Sequence, residues 1–284
     1  MEYHVLASGS KGNSIFIYDQ GNGLLIDCGI SKRQLYTKLN QLRFHESDIH
    51  HVLLTHDHID HNKNIGIFDQ SIVYCGKGCI PGIDESHELE NYQNIQLDHY
   101  IITPLPLSHD ATSPLGFVIK GKDETILYMT DTGYVSQKNM EYIKNLDYYI
   151  FESNHDIEML MNTRRPLFLK NRIFGDKGHL NNEYSAHVMA QVIGENTKEI
   201  CLAHLSQEAN TKEMALDTYQ RVFDEEHIYF DIFIFDDIFY IFTCIIRNWF
   251  IWYFNHFHFT VSIQSFDIFI DSINKIFFFK LTNC

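Results

Sequence analysis

The stretch HVLLTHDHIDH, residues 51–61, runs an apolar strand straight into three histidines and two aspartates. At a strand end, residues i and i+2 point the same way, so His56 and His58 are placed to grip one ion. Asp60 and His61 follow on the turn and reach toward a second ion. A lone histidine here reads as an ordinary polar residue. Four placed ligands at these fixed spacings read as a metal site.

Outward from this loop, three more ligand types stand just after apolar runs. His109 follows Leu105-Pro106-Leu107-Ser108, Asp131 follows Ile126–Thr130, and His204 follows Ile200–Ala203. Loops held by strand ends are where rigid scaffolds carry function. Asp27 ends the run that starts at Leu24 and reads there as a cap on its own turn. Glu152 opens the segment Glu-Ser-Asn-His-Asp after the run Tyr148–Phe151. His179 precedes a helix start at Asn181 or Asn182, where an asparagine cap is the plainer reading of the segment.

The chain has 284 residues, 45% apolar and 21% charged, which suits one large soluble α/β domain or two small ones. A net charge of −15 argues against a broad basic face for wrapping nucleic acid. Local phosphate capture stays open, because a metal cluster brings its own positive charge. Met1–Ser8 has no cationic start leading into an apolar run, so we expect no secretory leader, a cytoplasmic location and no stable membrane association. Six cysteines form no disulfide framework and read as reduced thiols. Cys75 and Cys79 lie four apart without a second pair, which argues against a zinc knuckle.

Apolar runs at Tyr3–Ala7, Ser14–Tyr18 and Leu24–Asp27 predict strands, broken by turn residues at Ser8–Asn13 and Gly21–Gly23. Ser8–Asn13 has the glycines of a phosphate loop but not its Lys-Ser/Thr ending, so a hairpin lining the cleft is expected. Ser31 caps a predicted helix to about Arg43 with Leu35, Leu39 and Leu42 on one face. The second half predicts strands near Ile101–Leu107, Leu115–Lys120, Thr125–Thr130, Tyr148–Phe151 and Lys198–Ala203. Helices are predicted near Gln137–Asn145, Glu183–Gly194 and Thr211–Phe223. Two halves of similar make-up suit two packed sheets with helices outside.

Residues 230–284 read differently, with 14 of the 22 Phe, both Trp, and no Gly, Ala, Pro or Glu. A membrane span is weakened by Arg247, Asn248 and recurrent Asp. A terminal strand pair suits the first ten or so residues. An altered, non-native terminus suits the missing turn chemistry best. We therefore divide the chain into a domain over 1–229 and an atypical tail over 230–284.

The order Asp27, His56-x-His58-x-Asp60-His61, His109, Asp131, His204 resembles the motifs of the metallo-β-lactamase superfamily. More narrowly, LASGSKGN (6–13), THDHIDH (55–61), TDTG (130–133), ESNHD (152–156), GDKGHLNN (175–182) and AHLSQEAN (203–210) resemble the YycJ/WalJ subfamily of exonuclease type. The likeness spans residues 3–229 and fails beyond them. It implies an α/β (α+β) fold, a four-layer αββα sandwich with two divalent metal ions at one edge. By that likeness His56, His58 and His109 hold one ion, Asp60, His61 and His204 the other, and Asp131 bridges, while Asp27 buttresses the histidine loop, the alternative to capping its own turn. Zinc and manganese suit such ligands, as does iron.

Such ions supply an activated water and neutralise transition-state charge. No cysteine falls in a ligand motif, which sets the site apart from β-lactamases that use one. Asp60 aligns it with nucleases and thioesterases. Glu152 and His179 resemble the glutamate–histidine pair that moves a proton to the leaving oxygen in tRNA-processing nucleases of the superfamily. Asn154 and His155 are candidate contacts to a scissile phosphate. Arg164, Arg165, Lys170, Arg172 and Lys177 form a basic stretch for a phosphate backbone or a solvated helix face. The expected activity is hydrolysis of nucleic acid, DNA rather than RNA, with Asp60, Glu152 and His179 catalytic. The rivals are a lactonase or thioesterase on the same metals, and a metal-binding module without turnover.

Overall fold

The computed structural model describes residues 1–230 and 232–234. The first half folds as β1 (Glu2–Ala7), β2 (Ser14–Asp19), β3 (Asn22–Ile26), α1 (Lys32–Gln41), β4 (Ile49–Leu54), one helical turn α2 (Ile59–Asn62), β5 (Val73–Gly76) and β6 (Glu88–Leu89). These strands pair in chain order, antiparallel from β1 to β3 and parallel from β3 to β6. α1 starts where the sequence predicts: Ser31 accepts from the Gln34 amide and Gln34 answers with its side chain, closing a capping box.

The second half contributes β7 (Ile95–Leu97), β8 (Tyr100–Pro106), β9 (Leu115–Lys120), β10 (Thr125–Met129), α3 (Gln137–Tyr142), β11 (Tyr148–Glu152), α4 (Ile157–Asn162), α5 (Leu167–Phe174), α6 (Asn182–Val192), β12 (Glu199–Ala203), α7 (Lys212–Glu225) and β13 (Ile232–Ile234). These strands again pair in chain order, antiparallel from β7 to β10 and parallel from β10 to β13.

Strand alternation explains the layering. In the first sheet Phe16, Leu25, Val52 and Leu54 pack with Leu35 and Leu39 of α1. Their neighbours Ile15, Ile17, Leu24 and Leu53 are buried as well and face the other way. In the second sheet Leu127, Met129, Tyr149, Phe151 and Leu202 pack with α3, α6 and α7, while Ile126, Tyr128, Ile150 and Cys201 are buried on the opposite face. A sheet buried on both faces is an inner layer, so the order is helix, sheet, sheet, helix. This is the αββα sandwich expected from the sequence.

Five parallel strands, β3, β4, β10, β11 and β12, end at one edge of the sandwich and carry Asp27, His56, Asp131, Glu152 and His204 there or one or two residues on. Carboxyl ends of parallel strands are where α/β sheets collect ligands, since their loops converge there. Hydrogen bonds stitch the halves together at this edge. The Leu115 amide donates to the Thr55 carbonyl at 2.9 Å, and the His204 amide to Ser8 Oγ at 2.7 Å.

β13 adds three residues of the segment 230–284 to the second sheet, beside β12. The readings of the rest of that segment lie outside the described residues. Among the described residues no helix is long and apolar enough to cross a membrane.

Candidate metal centre

The histidines of the loop after β4 meet the strand-end ligands of the second sheet. His56, His58 and His109 bring one nitrogen each within 4.8 Å of one another, and Asp60, His61 and His204 form a second such group. Asp131 lies between them. Its Oδ2 is 3.3 Å from His61 Nε2, and its Oδ1 is 3.6 Å from His204 Nε2 and 3.9 Å from His109 Nε2. All seven ligand candidates converge.

Which ring nitrogen faces the cleft follows from what holds the other. His61 Nδ1 donates to Asp27 Oδ2 at 2.7 Å and His204 Nδ1 to Glu152 Oε1 at 2.9 Å. His109 Nδ1 donates to the Gly178 carbonyl at 3.2 Å, and His56 Nδ1 lies 2.9 Å from Thr55 Oγ1. Each of the four rings is thereby turned with Nε2 toward the centre, as a metal-binding histidine is. His58 differs, with its Nδ1 3.3 Å from His109 Nε2. Asp27 also accepts from the Thr55 amide and hydroxyl, so the buttress reading of Asp27 matches its contacts.

A test of fit to metal comes from the polar atoms left over. His56 Nε2, Asp131 Oδ2 and His204 Nε2 are buried without a hydrogen-bond partner. Such orphans are costly in an interior, and a cation among them removes the cost. The donor set of imidazole nitrogens and carboxylate oxygens fits a divalent ion. Sulfur is absent from the groups.

Electrostatics points the same way. Burial opposes charge on His61, yet Asp27 and Asp131 outweigh it and hold the ring well above its usual range. Burial likewise opposes charge on His204, but Asp131 and Glu152 raise it to about 9. Burial would raise Asp131 and Glu152. The histidines around them prevail, pushing Asp131 well down and Glu152 to about 2. Carboxylates kept ionised in an interior call for positive charge, supplied by protons or by metal.

Backbone geometry makes the convergence possible. Asp27, Asp131 and His204 each take a left-handed φ, at 60°, 59° and 57°, directly after their strands. The conformation is rare for residues with a Cβ and turns each side chain into the cleft. Gly29 lets the histidine loop approach. A Cβ there would lie 1.7 Å from the Asp60 carbonyl oxygen, which accepts from the Asn13 amide at 2.7 Å.

Glu152 and His179 are also brought together, with His179 Nδ1 donating to Glu152 Oε1 at 2.8 Å. Glu152 Oε2 accepts from the amides of Thr132 and Leu180, at 3.0 and 3.2 Å. One buried carboxylate therefore orients both His179 and His204. The sequence points to the first pairing but carries no signal of the second.

Asn154 and His155 differ from their expected place. Asn154 Nδ2 donates to the His204 carbonyl at 2.8 Å, and His155 is 0% exposed. Asn154 belongs to the wall behind His204, and His155 is enclosed beside Asn181 and the Phe174 ring. The strand end that presents Glu152 turns inward after it, so neither side chain opens to a substrate in this conformation. Two residues of the Ser8–Asn13 turn make contacts that the sequence reading assigns to neither of them. Ser8 holds the His204 backbone, and Asn13 Nδ2 lies 2.9 Å from His61 Nε2 and 3.5 Å from Asp60 Oδ2. The Ser8–Asn13 hairpin lines the cleft as expected. Its glycine pattern was the available signal.

Sandwich and site together define a metallo-β-lactamase-fold hydrolase. Residues 22–204 match the family described as "Beta-lactamase superfamily domain", and the chain belongs to that superfamily. Within it the chain is 34% identical over 243 residues to an exodeoxyribonuclease YycJ of Bacillus anthracis, spanning 80% of this chain and 90% of the relative. It is 33% identical over 228 residues to an exodeoxyribonuclease WalJ of Streptococcus pneumoniae serotype 2, spanning 75% and 85%. Among solved structures, the metallo-β-lactamase fold protein YhfI from Bacillus subtilis matches with a TM-score of 0.62 at 16% identity, over 83% of this chain and 96% of that one. The chain is thus a YycJ/WalJ-like metallohydrolase.

Proposed function

We propose that this protein is a two-metal phosphodiesterase that hydrolyses nucleic acid, a DNA exonuclease of the YycJ/WalJ type. His56, His58 and His109 would hold one ion, Asp60, His61 and His204 the other, with Asp131 shared, and zinc, manganese or iron as the metal. Bound ions supply an activated water and charge neutralisation at the phosphate. The names of the two relatives support DNA as the substrate.

The observation that carries the reading is the Glu152–His179 pair beside the metal ligands. The His179 ring lies 5.2 Å from the His204 ring and 5.3 Å from the His109 ring, at the open rim with 20% exposure. Glu152 Oε1 accepts the hydrogen bond from Nδ1, so the free edge is Nε2. A protonated Nε2 there donates to the departing alkoxide of a nucleotide, a poor leaving group without a proton. Asp60 completes the histidine loop at the cleft floor, 3.7 Å from His61 Nε2.

The leaving group supplies the test. Wild type and the Asp131→Ala and His179→Ala variants are assayed on bis-p-nitrophenyl phosphate and on end-labelled DNA, with metal content by mass spectrometry. About two ions per chain are expected in the wild type, and both activities should vanish with Asp131→Ala. p-Nitrophenolate leaves without protonation, so His179→Ala should lose DNA cleavage by about 10²-fold or more and keep most small-diester turnover. Hydrolysis of lactones or thioesters that survives His179→Ala, with no diester cleavage, would overturn the reading in favour of a carbonyl hydrolase. Metal binding without turnover would favour the non-catalytic module.

A further inference from the structure

The 14 residues 164–177 hold five of the chain's 22 Lys and Arg and a single carboxylate, in a protein of net charge −15. Two of the five cations are neutralised locally, Arg165 on Glu208 at 3.0 Å and Arg172 on Asp110 at 2.6 Å. Arg164 and Lys177 are exposed, and neither forms an ion pair among the described residues. Interleaved with them, α5 turns aromatic and apolar side chains outward. Leu167 is 68% exposed, Phe168 74% and Phe174 47%. The larger helices α6 and α7 bury most of their apolar residues against the second sheet, as amphipathic helices do. An eight-residue helix that shows water two phenylalanines and a leucine is spending apolar surface on something outside the fold.

The segment is continuous with the metal centre. Arg172 is paired to the residue next to His109, and the Gly178 carbonyl holds His109 Nδ1 itself. The Ile173 carbonyl accepts from the His179 amide at 2.9 Å. On the far side of the rim, Gly133 sits against the Asp176 carbonyl, and Tyr134 beside it is 45% exposed. From Phe168 to Phe174 the helix rises about 9 Å, and the chain runs on through Lys177 to His179, so the exposed aromatic and basic groups lie along a segment that ends at the candidate proton donor.

We infer that α5 and its flanks are a platform for single-stranded DNA leading into the metal centre, an inference that rests on the proposed nuclease function. Unpaired bases stack on Phe168 and Phe174, and Arg164 and Lys177 take the phosphates. Stacking accepts any base, because every base offers a π-face, and a local basic track supplies the attraction that the acidic remainder withholds. Inside a paired duplex the base faces are already stacked on one another and closed to the phenylalanines. The platform therefore selects the frayed or unpaired strand end.

The full-length, metal-loaded protein is titrated against a fluorescein-labelled oligothymidylate with hydrolysis-resistant phosphorothioate linkages, read by fluorescence anisotropy. Phe168→Ala should weaken binding about tenfold, and Lys177→Ala should weaken it and lower the slope of log affinity against log salt by about 1. Both positions are exposed, so melting temperatures should match the wild type. Turnover of bis-p-nitrophenyl phosphate, run in parallel, should fall far less than turnover of single-stranded DNA. Unchanged oligonucleotide affinity in both variants, equal losses on the two substrates, or tight binding to anionic phospholipid vesicles in place of the oligonucleotide would each overturn the platform. Failure of the wild type to hydrolyse either diester would overturn the nuclease function instead, and the anisotropy arm would still decide the platform.

Discussion

At the scale of single residues, Glu152 carries the most. It is fully buried and accepts from two imidazoles and two backbone amides, so its charge is compensated on every side. Glu152→Gln keeps the shape but replaces one acceptor oxygen with a donor that faces donors. We expect a loss of about 1–3 kcal/mol in stability to urea. Metal affinity should fall roughly 10–100-fold as His204 loses its orientation, measured by competition with a chromogenic chelator. Unchanged metal affinity would mean that Glu152 serves His179 alone. The ligand types at this scale were plain in the chain order, because each stands just after an apolar run. The doubled role of Glu152 was not, since nothing in the local sequence reports that His204 lies within 2.9 Å of it. The inward turn of Asn154 and His155 was hidden for the same reason.

At the scale of elements, alternation and capping predicted most strands and the longer helices. Ser31, Asn181 and Thr211 cap α1, α6 and α7. β5 and β6 are too short to show a period, and α4 and α5 lack a clean apolar face, so the local pattern was silent on them. Pairing between elements brings out Glu124, which sits before β10. It accepts from Lys198 at 2.6 Å and from Tyr148 at 2.8 Å, tying the starts of β11 and β12. Burial would raise its carboxyl, but Lys198 and its other partners hold it down at about 2. A depressed folded value means that the stabilisation is present above the ordinary glutamate range near 4.5 and is lost as pH falls toward 2. Lys198 is partly exposed, so solvent screening limits the contribution to about 1 kcal/mol. The stability gap between wild type and Glu124→Gln should be of that size at pH 6 and close on acidification, followed by urea denaturation at each pH. A gap that widened with acid would refute the assignment.

At the scale of the whole molecule, the site exists only because two sheets meet. Buried carboxylates and orphaned ring nitrogens face one another across their junction, so metal should bind the folded chain far better than the unfolded one. Stripping the protein with a chelator should lower the melting temperature by about 5 °C or more, reversed by adding zinc or manganese, and Asp131→Ala should abolish the difference. Equal melting with and without metal would mean that the centre forms no strong site. What the sequence determined by itself was local. Strand alternation, helix caps and ligand types at strand ends are written in neighbouring residues, and with them the class of fold and a candidate metal site. The tertiary structure alone decided which ring nitrogen faces the cleft and that Glu152 holds two histidines. It also set Ser8 on the backbone of His204, 196 positions away. Such contacts depend on how two sheets dock, and that docking is a property of the packed core rather than of any stretch of chain.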